Sequence, residues 1–87
     1  MRKLERTNQF KRDFKKHGEL DSSMIEVLYK LINDEVLPDK YHDHALTGDL
    51  KDVRDCHIRP DLVLLYRLVN DDVLQLVRLG SHSELGL

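Results

Sequence analysis

The chain of 87 residues has few of the features that mark a secreted, disulfide-bonded or membrane-spanning protein. It has one cysteine, Cys56, so no disulfide can form within the chain, and a lone thiol suits a reducing compartment. Its longest apolar run, residues 62–66, is far shorter than the ~20 residues that span a bilayer. The N-terminal segment MRKLERTNQF has no apolar signal core. We therefore expect a cytoplasmic protein without a membrane association, folded as a single domain over residues 1–87.

The sequence also lacks the net positive charge that usually drives binding to nucleic acid, since its formal net charge is −2. The charges are unevenly distributed. Residues 1–17 hold seven basic and two acidic side chains, a balance of +5, whereas residues 18–87 hold seven basic and fourteen acidic ones, a balance of −7. Two interpretations stay open: the basic residues of segment 11–16 form the solvent face of an amphipathic helix, or they form a patch that faces a polyanion.

Apolar spacing predicts two helices in the first half of the chain. The first begins at Asn8, where an N-cap side chain is available, and ends at Gly18. The second begins at Asp21, keeps its apolar period as far as Val36, and ends before Pro38. A polar loop, residues 39–49, follows the second helix and carries two histidines.

The second half of the chain has the alternation of extended structure. Residues 53–58, 62–69 and 73–79 predict three consecutive antiparallel strands, separated by turn residues. The middle strand is apolar on both faces, as expected of a central strand covered on both sides. Residues 2–5 can add a first strand. The predicted fold is α+β, of order β-α-α-β-β-β, with two N-terminal helices packed on a small, mainly antiparallel sheet.

Strand direction predicts that distant polar residues meet at one edge of this sheet. His57 lies near the end of the first of the three strands, and His57 and Asp61 flank the short turn that Pro60 restricts. The third strand runs antiparallel to the second, so Gly80, Ser81 and His82, which follow it, return to the level of Asp61. Histidine is the side chain whose ordinary pKa lies near neutrality, and such a convergence is suited to proton transfer.

Three segments resemble one family of bacterial toxins. They are HDHAL at residues 42–46, VRDCHIRPDLVLLYRL at 53–68 and RLGSHSEL at 78–85. In this order after two helices, they resemble the YafQ branch of the RelE superfamily over nearly the whole chain. The resemblance implies a RelE-like fold and a ribosome-dependent endoribonuclease that cuts messenger RNA in the decoding site. It also implies inhibition by a cognate antitoxin encoded beside the toxin.

The resemblance also implies which residues act. The catalytic positions of the family fall on His44, His57, His82 and Asp61. Recurrent basic positions fall on Arg54 and Arg78, and Arg59 is a further candidate for phosphate contact. Two positions depart from the family pattern, because the aromatic residues expected after the aspartate and near the C-terminus are replaced by Leu62 and Gly86. Aromatic rings commonly stack on unpaired bases, so these departures bear on substrate grip.

These residue types suit RNA cleavage without a metal or another cofactor. The 2′-hydroxyl attacks the adjacent phosphorus, which requires a base, an acid for the departing 5′-oxygen, and cations near the phosphate. We expect His82 or Asp61 to fill one proton-transfer role and His57 or His44 the other. The assignment within each pair stays open.

Other interpretations of the same residues remain. The fold could serve mainly to bind an antitoxin, as a catalytically weak or inactive module, which the missing C-terminal aromatic favours. Alternatively, His42 and His44 could bind zinc together with His57 and Asp61.

Several polar residues also have a structural interpretation. His57 could be a half-buried sheet residue that bonds a backbone carbonyl. We expect Cys56 to be a buried apolar group, Asp43 and Asp55 to be solvated or to stabilise turns, and His17 to lie on a helix face.

Overall fold

The computed structural model describes all residues, 1–87, and contains one five-stranded sheet with three helices. The elements in chain order are β1 (Lys3–Arg6), α1 (Asn8–His17), α2 (Ser22–Ile32), β2 (His44–Ala45), β3 (Arg54–Arg59), β4 (Leu62–Val69), β5 (Val73–Gly80) and α3 (His82–Leu85). Two short 3-10 turns, Asp39–Tyr41 and Gly48–Leu50, lie in the segment between α2 and β3. The α+β fold expected from the sequence is confirmed, with β2 and α3 as additions. No helix is long and apolar enough to cross a bilayer.

The sheet has the order β1-β5-β4-β3-β2. Strands β3, β4 and β5 form the antiparallel meander that the sequence predicts. The N-terminal strand is also present, and it pairs in parallel with β5. The side chain of Arg2 fixes this strand at the β4–β5 turn, because its Nη1 donates to the carbonyls of Asn70 (3.0 Å) and Val73 (3.1 Å). The first and last strands of the chain are therefore neighbours.

Local sequence explains where α1 begins and ends. Its N-cap is Thr7, one residue before the predicted Asn8, and Thr7 Oγ1 accepts a hydrogen bond from the amide of Phe10 at 3.0 Å. Gly18 ends the helix as predicted. A Cβ at Gly18 would lie 2.1 Å from the ring of Phe14, so only glycine fits at this position without a shift of the ring.

The second helix is shorter than its apolar period suggested. It begins after Asp21, whose Oδ1 accepts from the amide of Met24 at 3.0 Å, and ends at Ile32. The prediction that it continues to Val36 was wrong, because Asp34 adopts a left-handed backbone with φ of 57° and Val36 is 91% exposed. The 32–38 segment leaves the helix axis and returns the chain toward β3.

The apolar core lies on both faces of β4. Helices α1 and α2 cover one face and contribute to the main core cluster, which also takes Leu64 and Tyr66 from β4. On the other face, Val63 and Leu65 pack with Val53 from the segment that precedes β3. Because side chains alternate along a strand, Cys56 points toward the helices while Asp55 and His57 point to the opposite face. The face opposite the helices is therefore where β3 can present polar groups.

The predicted loop 39–49 contains a strand. His44 and Ala45 form β2 by pairing with Asp55 and Arg54 of β3, and the loop prediction was wrong for these two residues. This pairing covers the edge of β3 that β4 leaves open.

Candidate active site

Three histidine rings pack against one another where β3, β5 and the 39–49 segment meet. His57 is the central ring. Its centroid lies 4.9 Å from that of His82, with a near-perpendicular interplanar angle of 68°, and 5.4 Å from that of His42. Strand register explains the His57–His82 pair, since Val63 of β4 pairs with His57 on one side and with Gly80, two residues before His82, on the other. The convergence of His57 and His82 predicted from strand direction is confirmed.

His42 and His44 reach this cluster through an unusual backbone. His42 adopts a left-handed conformation, φ of 51° and ψ of 41°, after the Asp39–Tyr41 turn. Its carbonyl oxygen lies 2.7 Å from His44 Nδ1, so a proton on Nδ1 donates to that carbonyl. The other nitrogen of His44, Nε2, then faces Asp55 Oδ2 at 4.0 Å. His42 is exposed as expected, yet its ring contacts His57, which the sequence did not suggest.

Asp55 lies beneath the histidines and is the site residue that sequence reasoning missed. Its side chain is only 2% exposed, so the expectation that it is solvated was wrong. Its Oδ1 lies 3.6 Å from His57 Nε2 and has no hydrogen-bond partner. A buried carboxylate oxygen without a partner is uncommon, because its desolvation is not compensated. The Asp-x-His spacing of residues 55–57 could have revealed that Asp55 lies beside His57, since residues i and i+2 of a strand share a face.

The surroundings of His57 favour its neutral form. Burial lowers the pKa of His57 first of all, and the neighbouring imidazoles of His82, His42 and His44 lower it further. The Asp55 carboxylate acts in the opposite direction and raises this pKa, but the net shift is downward from 6.5. A neutral imidazole at neutral pH has a lone pair that can accept a proton.

Asp61 lies apart from this cluster. It is exposed in the turn between β3 and β4, where the ladder between the two strands is irregular after His57. It lines a separate cleft of about 270 Å³ that also contains Arg59, Ser81 and Glu84. The structure gives Asp61 no hydrogen bond to another side chain. The structure therefore brings His57, His82, His42, His44 and Asp55 together, and places Asp61 in an adjoining cleft.

The three arginines that were predicted to contact phosphate are each paired with a carboxylate. Arg54 donates to Asp43 from Nε and Nη2, at 3.3 and 3.2 Å. Arg59 Nη1 donates to Asp21 at 2.6 Å.

The third arginine, Arg78, is also paired with a carboxylate. Arg78 donates to Asp13 at 2.8 and 3.4 Å. Of the three, Arg59 is the one that lines the cleft of about 380 Å³ beside His42 and His57. Arg54 and Arg78 line other clefts, so the structure does not bring them to the histidines.

The cluster has a set of ligand atoms that fits a metal ion. One nitrogen or oxygen atom from each of Asp55, His57 and His82 lies within 4.8 Å of the others. Imidazole nitrogen with a carboxylate oxygen suits zinc or copper, and the free Oδ1 of Asp55 lacks any other partner. This set shares only His57 with the one considered from the sequence, which combined His42, His44, His57 and Asp61.

Comparison with known proteins gives the family of the chain. The family model described as "Bacterial toxin of type II toxin-antitoxin system, YafQ" matches residues 2–86. The chain belongs to this family. The YafQ resemblance of the three sequence segments is thereby confirmed. The mRNA interferase toxin YafQ of Escherichia coli is 36% identical over 88 aligned positions, which cover 97% of this chain and 95% of the relative.

Solved structures agree with the family and the fold. A copper-bound mutant toxin from Helicobacter pylori has a TM-score of 0.89 and 49% identity, covering 98% of this chain and 99% of that one. A metal-bound toxin from the same organism has a TM-score of 0.86 and 43% identity over the same shares of the two chains. The YafQ chain of the Escherichia coli DinJ–YafQ complex has a TM-score of 0.81 and 34% identity, covering 98% of each chain.

Proposed function

We propose that this YafQ-family protein is the toxin of a type II toxin–antitoxin pair, and that it cleaves messenger RNA on the ribosome without a metal ion. The main support is the packing of His57 against His82, above the buried carboxylate of Asp55. The name of the Escherichia coli relative, an mRNA interferase toxin, supports the same activity.

The two rings divide the proton-transfer roles between them. Two imidazolium ions in contact repel each other, so the pair favours one bound proton over two. Because the pKa of His57 is lowered, His57 is the neutral member and takes the proton of the 2′-hydroxyl. His82 then protonates the departing 5′-oxygen. The products are a 2′,3′-cyclic phosphate and a 5′-hydroxyl.

Asp55 orients the base in this scheme. A carboxylate beside Nε2 favours the tautomer of His57 that carries its proton on Nε2, and the lone pair is then on Nδ1. The positive charge that His57 gains during the reaction is stabilised by the same carboxylate. His44, which also faces Asp55, competes for this interaction and stays a second candidate for a proton-transfer role.

Arg59 is the primary candidate for contact with the reacting phosphate. It lines the cleft of His42 and His57, and its planar guanidinium retains donors beyond the one bound to Asp21. Arg54 and Arg78 would contact phosphates only through the donors that Asp43 and Asp13 leave free. We assign Asp61 to the adjoining cleft, where it can accept a hydrogen bond from the ribose next to the cut.

Dependence on the ribosome follows from charge. The balance of −7 over residues 18–87 gives the site little attraction for free RNA. The ribosome supplies the orientation of the messenger that a small, open cleft cannot. A cognate antitoxin partner is supported by the DinJ–YafQ complex of Escherichia coli.

Primer extension on a messenger incubated with translating ribosomes tests this function. His57→Ala should lower the rate of cleavage by about two to four orders of magnitude, the range of general acid–base groups. A messenger with a 2′-deoxy substitution at the cut site should survive wild-type protein. Full cleavage of the deoxy messenger would exclude attack by the 2′-hydroxyl. If wild type binds antitoxin but leaves messenger intact, the chain is the inactive binding module instead.

Metal binding is a second candidate property, favoured by the free Oδ1 of Asp55 and by the copper-bound and metal-bound toxins of Helicobacter pylori. Asp55, His57 and His82 would hold the ion, which would supply a positive charge at the site. His57 would then have no lone pair for the substrate, so copper or zinc should inhibit cleavage. Calorimetric titration of the ion, with cleavage measured in parallel, tests this. Loss of activity in a chelator would overturn the metal-independent scheme.

A further inference from the structure

The helix that begins with His82 is too short to fix its own position. α3 has four residues, and its N-cap is Ser81, whose Oγ accepts from the amide of Glu84 at 3.2 Å. In return, Glu84 Oε1 accepts from the amide of Ser81 at 3.0 Å, which completes a capping box. These bonds shape the turn but do not attach it to the rest of the protein.

Leu85 packs α3 against the cluster of Val53, Val63 and Leu65, and the second carboxylate oxygen of Glu84 attaches the turn to helix α1. Glu84 Oε2 lies 2.8 Å from His17 Nε2 and 3.4 Å from Lys16 Nζ, at the C-terminal end of α1. The hydrogen bond from the Ser81 amide, and then that from His17, lower the pKa of Glu84 to about 2. The group is therefore ionised wherever cleavage would be measured.

Two neighbouring features show that α1, the end of β5 and the start of α3 pack closely together. A Cβ at Gly80 would lie 3.3 Å from Glu84 Oε1, so the glycine gives the carboxylate room to close on Ser81. One turn earlier on α1, the buried Asp13 accepts from the amide of Leu79 at 3.0 Å. Helix α1 thus holds the end of β5 through Asp13 and the start of α3 through His17.

We propose that Glu84 is a positioning residue that holds the ring of His82 against His57 by clamping α3 to α1, with His17 as its anchor. The inference rests on the proposed function, in which His82 transfers a proton. Glu84 acts close to the residue that it positions. Its Oε1 accepts from the amide of Ser81, and Ser81 directly precedes His82. Rotation of α3 away from α1 would carry His82 off His57 while leaving the sheet intact.

The two bonds of Glu84 can be separated by substitution. Glu84→Ala removes both the capping bond and the anchor. Glu84→Gln keeps an oxygen for the Ser81 amide, because glutamine also serves in a capping box, but loses the charge. His17→Ala removes the shorter contact with α1, and it leaves the capping box and the 3.4 Å contact with Lys16 in place. Ser83→Ala is the matched control, since Ser83 lies on the same helix and its side chain makes no hydrogen bond.

Single-turnover cleavage on ribosomes programmed with messenger measures the effect. Glu84→Ala should lower the maximal rate by about 10- to 100-fold, the loss expected from a small misplacement of a reacting group, with the concentration for half-maximal rate changed by less than about twofold. Glu84→Gln and His17→Ala should lie between this variant and wild type, and Ser83→Ala should match wild type. Unchanged rates for both Glu84→Ala and His17→Ala overturn the proposal. Should Glu84→Ala fail to fold, the His17→Ala result alone decides.

A double variant separates this inference from the proposed function. In a His82→Ala background, Glu84→Ala should cost nothing further, because a positioning residue has no effect without the residue it positions. A full additional loss would mean that Glu84 acts elsewhere, and the inference would fail while the proposed function stands. If His82→Ala alone leaves cleavage unchanged, the role of His82 fails and this inference fails with it.

Discussion

Asp55 Oδ1 lies 3.6 Å from His57 Nε2 inside the protein and has no hydrogen-bond partner. The distance is too long for a hydrogen bond but short enough for the carboxylate to attract an imidazole that becomes charged. Such an arrangement costs folding free energy and benefits an imidazole that gains charge during a reaction. Stability and activity are therefore opposed at this position.

Replacement of Asp55 by asparagine should reveal this opposition. Asp55→Asn removes a buried charge at nearly constant volume, so the free energy of unfolding should rise by about 1–3 kcal/mol. Cleavage should fall by about 10- to 100-fold, as for other residues that orient an active group. Thermal unfolding and primer extension measure the two quantities. A less stable variant would mean that Asp55 has an interaction that compensates its burial.

The lowered pKa of His57 predicts two effects of pH with the same sign. The unfolded chain has an ordinary histidine pKa near 6.5, so it binds more protons than the folded protein just below that pH. The free energy of unfolding should therefore decrease as the pH falls through 6.5 toward the folded pKa. Cleavage should decrease in the same direction, because the base becomes protonated.

A pH series of single-turnover rates checks the catalytic effect, and the midpoint of the ascending limb in wild type should lie below the ordinary histidine pKa of 6.5. His57→Ala should lose this ascending limb along with most of its rate. A limb that persists in the variant would assign the base to another residue, of which His44 is the first to test.

Two exposed turn aspartates at opposite ends of β4 provide a matched pair. Asp61→Asn should lower cleavage, by roughly tenfold if it only binds the ribose and by more if it transfers a proton. Asp71→Asn, in the β4–β5 turn, should leave cleavage unchanged. Both substitutions should leave stability within about 0.5 kcal/mol of wild type, because both side chains are solvated. Equal rates for the two variants would remove Asp61 from the site.

Gly86 stands where the YafQ resemblance implies an aromatic residue, and its backbone conformation favours glycine. It terminates α3 with φ of 74° and ψ of 28°, a conformation that costs residues with a Cβ roughly 1–2 kcal/mol. Gly86→Phe and Gly86→Ala should lose similar stability, since nothing lies within 4 Å of a Cβ at this position. Only the phenylalanine should lower the ribosome concentration for half-maximal cleavage, by stacking on a base. Equal values for the two variants would contradict a role for the ring.

The sequence predicted those parts of the fold that depend on apolar period and strand direction. The meander of β3 to β5 followed from three apolar segments with turn residues between them, and it placed His57 beside His82. Burial of Cys56 followed from its place on the same strand face as Ile58. Helix α2 was predicted too long because Val36 fits the apolar period, whereas the left-handed Asp34 that ends the helix has no such signature.

The features that were missed depend on contacts between distant residues. Strand β2 has two residues, too few to display alternation, and it exists through its pairing with Arg54 and Asp55. The buried Asp55 lies opposite His44 in that same pairing. The Arg78–Asp13 ion pair joins residues 65 positions apart, so no local pattern could reveal that a predicted phosphate ligand is already bound. The sequence therefore predicted where the histidines meet, but it did not predict that Asp55 is the carboxylate beside them.

The parallel pairing of β1 with β5 has a consequence for synthesis of the protein. Strand β1 leaves the ribosome first and then has no partner strand until residues 73–80 have emerged. His82 comes later still, so the packing of His57 against His82 cannot form until residues 73–82 have emerged. Pairings between residues so far apart in sequence also form slowly. The pairing of β5 with β1 and β4 therefore completes both the sheet and the histidine pair at a late stage of folding.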